Sequence, residues 1–244
     1  MAEKKPLGVL ILHGFTGSLD SVRGLVPTVE GLGLPYRMPV LRGHGTRYED
    51  MHGTTAKDWY EDAEAALTDL LQEVEKAVVV GLSMGGLVTL NLAIAHERDL
   101  AGIILVAPAL RFADPLTALT PILARLFPYW DAPNSFSDPE CAKACTNYPK
   151  FATSAFASLR EYGIATERRL SEVRVPTLVL HSHKDTVASP VSAKIIMERI
   201  ASPEKNLVWF DRTGHEMLQD CEAEAVFRVI GEEIEARLSK PIAS

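Results

Sequence analysis

Apolar residues gather in six short runs along the chain: Leu7–Leu12, Tyr36–Val40, Ala77–Leu82, Gly102–Ala107, Pro176–His181 and Asn206–Phe210. Each has the length of a strand rather than of a helix. Val78-Val79-Val80, Ile103-Ile104-Leu105-Val106 and Leu178-Val179-Leu180 are apolar at every position instead of alternating. That is the pattern of parallel strands covered by helices on both faces. Amphipathic stretches between the runs predict helices over about 18–32, 55–74, 84–97, 190–201 and 216–238, and Thr54-Thr55 offers the second an N-terminal cap. Strand and helix alternate, so the pattern predicts a doubly wound α/β sandwich.

One stretch breaks the alternation. After Pro108 no strand pattern returns until Val175, and Leu116, Leu119, Ile122, Leu123, Leu126 and Phe127 recur at spacings of three and four before Tyr129-Trp130 ends the run between prolines. The segment reads as a helical insertion. A stripe of this kind packs into a core more often than it binds a ligand. Here it follows a strand at the C-terminal edge of a parallel sheet, where such folds bind ligands, so a cap with apolar walls is expected. Phe112, Leu116, Leu119, Phe127 and Trp130 are its candidate pocket residues. With no repeat or linker in view, residues 1–244 are read as one domain with a cap at about 109–172.

Composition narrows the function classes. A content of 47% hydrophobic and 23% charged residues is that of a globular protein, and no apolar run reaches the roughly 20 residues that span a bilayer. Stable membrane insertion is therefore not expected. The formal charge of −7 supplies no basic patch for a phosphate backbone, so nucleic acid is not an expected partner. The opening Met-Ala-Glu-Lys-Lys before Leu7–Leu12 imitates a signal peptide, but the apolar run is short and lacks a small-residue cleavage site. Cys141, Cys145 and Cys221 form an odd set without metal-ligand spacing and read as reduced thiols. A cytoplasmic protein is the expectation, with its oligomeric state unread.

The chemistry concentrates where strands end. Gly81-Leu82-Ser83-Met84-Gly85 links an apolar strand to a helix running through Leu87, Leu90 and Ile94. A serine on so tight a turn stands exposed at a helix N-terminus, and the glycines leave room for neighbouring chain. The bland alternatives are a plain Gly-rich turn or a phosphate-cradling loop, but neither a Gly-Lys-Ser/Thr nor a G-x-G-x-x-G arrangement is present. His13-Gly14-Phe15-Thr16-Gly17 follows the first strand, where the backbone N–H of Phe15 would pair with that of Met84 to hold an oxyanion.

A serine nucleophile needs a base. Of the seven histidines, His215 in Thr213-Gly214-His215-Glu216 follows the last strand and opens the expected final helix, whereas His13, His44, His52 and His96 read as packing, turn or surface residues. Asp185 follows the Pro176–His181 strand and completes the order Ser, Asp, His. His181-Ser182-His183-Lys184-Asp185 also has the form of a zinc-binding run, but it lacks a second half-site, and alternation turns His181 into the sheet packing. No metal is expected.

Taken together, the residues resemble the small bacterial carboxylesterases and monoacylglycerol lipases of the α/β-hydrolase superfamily, over nearly the whole chain. The matching stretches are Leu12-His13-Gly14-Phe15-Thr16-Gly17, Arg42-Gly43-His44-Gly45 with Trp59, Gly81-Leu82-Ser83-Met84-Gly85-Gly86, Asp185 and Gly214-His215. The resemblance implies an α/β-hydrolase fold, a mostly parallel sheet flanked by helices with a small helical cap. It also implies a Ser83/Asp185/His215 triad, a Phe15/Met84 oxyanion hole, and short- to medium-chain esters or monoacylglycerols as substrates. Two departures stand out: the antiparallel leading strands of larger relatives are missing from the pattern, and His181-Ser182-His183 replaces the glycine usual before the acid.

The implied reaction is acyl transfer through an ester on Ser83, which requires no cofactor. The same residues would serve a thioesterase, an amidase or a carbon–carbon hydrolase, and a non-catalytic receptor could retain the pocket. Dehalogenase and epoxide-hydrolase chemistry would need an aspartate at position 83.

Overall fold

The computed structural model describes residues 4–239. Met1 to Glu3 of the opening segment and the last five residues of the expected domain lie outside the described residues. In chain order the elements are β1 (Lys5–Leu12), α1 (Asp20–Arg23), α2 (Val26–Gly31), β2 (Tyr36–Arg37), α3 (Ala56–Glu73), β3 (Val74–Leu82), α4 (Met84–Ala95) and β4 (Leu100–Val106). They continue with α5 (Thr120–Leu126), β5 (Tyr129–Asp131), α6 (Pro139–Ala142), β6 (Lys150–Ala152), α7 (Thr153–Arg169), β7 (Thr177–Ser182), α8 (Val191–Arg199), β8 (Lys205–Phe210) and α9 (Ala223–Leu238).

The main sheet has the order β2-β1-β3-β4-β7-β8, and every pairing in it is parallel. Successive residues of the central strands point to opposite faces. Val79, Ile103, Leu105 and Val179 meet Trp59 and Leu67 of α3, Leu87 and Leu90 of α4 and Ile196 of α8. Their neighbours Val78, Val80, Ile104, Val106 and Leu178 meet Val22, Val29, Val226, Ile230 and Ile234 from the helices of the other face. Two buried faces explain why these strands never alternate. The expected doubly wound α/β-hydrolase sandwich is the fold found.

Several boundaries differ from the expectation, each for a local reason. The strand expected over Tyr36–Val40 pairs only at Tyr36–Arg37. Pro39 has no N–H for a ladder, and Val40 is left exposed beyond the sheet edge. The helix expected over 18–32 is divided into α1 and α2, with Pro27 in the first turn of the second. The last helix starts at Ala223, so His215 stands in a loop of turns rather than at a helix start. The insertion after Pro108 is not purely helical, because β5 and β6 form an antiparallel pair, Trp130 opposite Phe151. Strands of three residues are too short to leave a periodic signal. α3 begins as its cap residues indicated: Asp58 Oδ2 accepts from the Thr55 N–H at 2.8 Å and from its hydroxyl at 2.7 Å. Among the described residues no helix is long and apolar enough to cross a membrane.

Candidate active site

β3 delivers Ser83 and α4 starts at the next residue. Between them the serine backbone takes φ 55° and ψ −109°, a left-sided conformation that L-residues avoid. Close packing on both sides holds it there. A Cβ at Gly81 would fall 2.3 Å from the Gly85 carbonyl oxygen, and one at Gly85 would fall 2.6 Å from that of Leu12 and 2.8 Å from that of His13. Only glycine lets the loop after β1 lie directly over the elbow. Ser83 N–H donates to the Val106 carbonyl at 2.9 Å, and its own carbonyl accepts from Gly86 N–H at 3.0 Å.

The loop after β1 is anchored by its histidine. His13 Nδ1 donates to the Gly14 carbonyl at 2.9 Å, and Nε2 accepts the Leu41 N–H at 3.1 Å. Burial pushes the His13 pKa down to about 4, and burial together with the neighbouring His13 pushes that of His44 down to about 3. Both rings are therefore neutral packing groups at neutral pH, with centroids 4.9 Å apart. The Phe15 ring packs edge-on against Trp59 and Phe151. Among the described residues neither Phe15 N–H nor Met84 N–H has an acceptor within the protein. Met84 follows Ser83 directly, and a Cβ at Gly14, next to Phe15, would fall 3.3 Å from the Ser83 Cβ, so both residues adjoin the serine.

His215 and Asp185 reach the serine from two other strand ends. Asp185 follows β7, and its Oδ1 accepts the N–H groups of Val187 at 2.8 Å and Ala188 at 2.9 Å. Its Oδ2 lies 2.8 Å from His215 Nδ1, and His215 Nε2 lies 2.9 Å from Ser83 Oγ. With the proton on Nδ1, the imidazole donates to Asp185 and accepts from the serine hydroxyl. All three residues are buried. Burial works against a charged His215, but Asp185 through charge and hydrogen bond, aided by Glu216, outweighs it and holds the pKa above the ordinary value. Burial likewise raises Asp185, yet His215, His181 and the Val187 N–H together leave its pKa below the usual carboxylate range.

A cavity of about 460 Å³ opens over Ser83 and His215. Phe112, Leu116, Leu123, Trp130, Phe156 and Leu159 give it apolar walls, with Asn147 and Glu216 as polar members near the histidine. Of the five pocket residues expected from sequence, Phe112, Leu116 and Trp130 line it. Leu119 and Phe127 do not line it: both are about half exposed, and the Phe127 ring stands edge-to-face with Trp130. The stripe they belong to is split between a three-ten turn at Pro115–Leu119 and α5, so it does not present one face.

His181 is buried with its Nε2 3.2 Å from the Ala188 carbonyl and 3.4 Å from Asp185 Oδ2, while His183 stacks in the open on Trp209. Both rings lie against Trp209, His181 edge-on and buried and His183 stacked and exposed, each with its own protein partner. No group of three or more potential metal ligands occurs among the described residues. The cysteines are free thiols. Sequence reasoning missed Asn147, Phe156 and Glu216. Glu216, next to His215, carried a signal; Asn147 sits in a loop without a motif, and Phe156 lies on α7, a helix that the sequence pattern does not separate out within the 109–172 insertion.

The family model Hydrolase_4, described as serine aminopeptidase, S33, matches residues 4–222. The thermostable monoacylglycerol lipase of Bacillus sp. (strain H-257) is 35% identical over 215 residues, covering 88% of this chain and 84% of that protein. The carboxylesterase of Bacillus subtilis (strain 168) is 24% identical over 228 residues, covering 93% and 92%. A solved structure from LipS and LipT, two metagenome-derived lipolytic enzymes, superposes with a TM-score of 0.90 at 29% identity over 96% of both chains. A strained serine elbow in hydrogen-bonded line with a histidine and an aspartate, on a six-stranded parallel sheet and across the matched length, places this chain in the Hydrolase_4 family of α/β-hydrolase-fold serine hydrolases.

Proposed function

We propose that the protein hydrolyses carboxylic esters, short- to medium-chain esters or monoacylglycerols, through an acyl-enzyme on Ser83. The observation that carries this reading is the Ser83–His215–Asp185 line, with contacts of 2.9 and 2.8 Å, at the base of a largely apolar cavity. In the proposed cycle His215 takes the Ser83 proton as the hydroxyl attacks the ester carbonyl. The oxyanion is held by the N–H groups of Phe15 and Met84, and protonated His215 hands its proton to the leaving alcohol. Water enters by the same route and releases the acid. Asp185 stays ionised throughout and fixes the tautomer. The cycle requires no cofactor.

The cap at about 109–172 supplies the acyl wall in this reading, and a single small-molecule ester is the partner. The similarity to a protein named monoacylglycerol lipase supports that substrate class. Three free thiols agree with a reducing compartment, and we assign the enzyme to the cytoplasm. The family description, serine aminopeptidase, makes amide cleavage the second reading.

The test is the hydrolysis of p-nitrophenyl esters from acetate to palmitate beside a p-nitroanilide, with the Ser83→Ala protein in parallel. Turnover is expected to peak at short or medium acyl chains and to fall at least about 1,000-fold in the variant, whose melting curve is unchanged. Turnover of the anilide alone would move the protein to the amidase reading. Equal activity in the Ser83→Ala protein would overturn the serine mechanism.

A further inference from the structure

The loop that carries His215 is held by a carboxylate outside the triad. Asp220 is buried, and its two oxygens accept four backbone N–H groups: Ser137 at 2.7 Å, Asp138 at 3.0 Å, Gly214 at 2.6 Å and Cys221 at 2.8 Å. Two of these donors, Gly214 and Cys221, belong to the loop between β8 and α9. The other two belong to the segment between β5 and α6, in the insertion. One side chain thus ties the residue directly before His215 to a chain segment nearly 80 residues away.

The same two segments touch in two more ways. Ser135 carbonyl accepts the N–H of His215 at 2.7 Å and that of Glu216 at 3.2 Å. Gly214 leaves no space between them, because a Cβ there would fall 2.6 Å from the Ser135 carbonyl oxygen and 2.9 Å from the Ser137 nitrogen. A carboxylate that accepts four N–H groups is strongly favoured in its ionised form. Burial alone would raise its pKa, but those four donors hold Asp220 below the ordinary carboxylate value. A neutral side chain could satisfy at most some of the donors and would leave the rest buried and unpaired.

From this arrangement we infer that Asp220 is a positioning residue for catalysis: by clamping Gly214 and Cys221 to the 137–138 segment it fixes the His215 imidazole between Ser83 and Asp185. The inference rests on His215 being the general base of the proposed cycle. The clamp acts on a backbone that has no regular element to hold it, since residues 211–222 are loop and turn. Proton transfer depends steeply on reach, and displacement of a catalytic group by about 1 Å can cost roughly 100-fold.

Two variants test it, Asp220→Asn and Gly214→Ala. The first removes the charge and half the acceptor capacity. The second pushes the two segments apart without changing any charge, and Gly214 has no positive φ that alanine could not adopt. Active sites are counted by the p-nitrophenol burst with diethyl p-nitrophenyl phosphate, so unfolded protein does not enter the rate. For p-nitrophenyl octanoate both variants are expected to lose roughly 10- to 100-fold in kcat per active site with KM within about threefold of the parent. The groups facing His215 are Asp185 and His181 from the β7 side and Glu216 from its own loop. A loosened contact to Asp185 therefore moves the acid limb of kcat/KM to lower pH in both variants.

A lower melting temperature with kcat per site and the acid limb unchanged would make Asp220 a structural residue only and overturn the inference. If Asp220→Asn does not fold, Gly214→Ala decides alone on the same readouts. A parent protein that turns over no ester or anilide overturns both the inference and the reading beneath it, whereas an active parent with unaffected variants overturns the inference alone.

Discussion

Ser83 holds a backbone conformation that costs on the order of 1–3 kcal/mol, and the residues around it are those that make any relaxation worse. Gly81 and Gly85 admit no side chain, so the turn cannot open without pushing β1 and its loop away. The strain keeps the hydroxyl at the tip of the turn, within 2.9 Å of His215 Nε2. The state of that imidazole sets the pH dependence. In the proposed cycle His215 must be neutral to accept the serine proton, and its pKa is raised above 6.5 once the pull of Asp185 has outweighed burial. The rate should therefore fall as pH drops through a midpoint above 6.5, read from kcat/KM between pH 5 and 9. Asp185→Asn removes the anion and the tautomer control together. It is expected to lower kcat by up to about 10,000-fold and to move the remaining acid limb downward. An unmoved limb would assign it to another group.

At the level of elements, the insertion divides its apolar residues between two tasks. Leu116 and Leu123 line the cavity, although Leu116 is itself 61% exposed, while Leu119, Ile122 and Leu126 are exposed and line none of it. Acyl-chain selection should follow the first group only. Leu123→Trp is expected to move the optimum in the p-nitrophenyl series toward shorter chains, because the larger ring occupies cavity volume. Leu119→Ala should leave the optimum where it is and change stability by less than about 0.5 kcal/mol. The sequence pattern could not separate these roles. Spacings of three and four place residues along a helix face, but here the run begins in a three-ten turn and only later becomes α5, which rotates the early residues relative to the late ones. In contrast, α4 was legible from end to end, since an elbow glycine and an apolar strand mark its start and its buried residues follow directly.

Across the whole molecule the same burial that builds the sheet also fixes its response to acid. His13 in the loop that crosses the elbow and His44 packed against it are buried and neutral, with pKa values of about 4 and about 3. In the unfolded chain both titrate near 6.5. A folded pKa below the unfolded one means that the unfolded state binds more protons as pH falls. Stability is thus full above about 6.5 and is lost progressively toward about 4, by on the order of 3 kcal/mol for each ring. Urea midpoints measured between pH 7.5 and 4 should decline over that window, and His44→Phe should flatten the decline even if it lowers the plateau. A midpoint independent of pH across the window would show that the rings charge without unfolding.

Much of this was written in the chain. Non-alternating apolar runs require two covered faces, which imposes a parallel sheet with helices on both sides. Gly-x-Ser-x-Gly between a strand and a helix permits one tight turn. These are local consequences of side-chain size, backbone freedom and hydrophobic period, so a sequence carries them unaided. Tertiary structure alone decided the rest. That Leu119 and Phe127 stand outside the pocket, that β5 and β6 pair, that Asn147 and Glu216 meet beside His215, and that Asp220 gathers four N–H groups all depend on contacts between segments far apart in the chain. Such contacts are set by how loops without periodicity settle on a finished sheet, and no local pattern encodes where they come to rest.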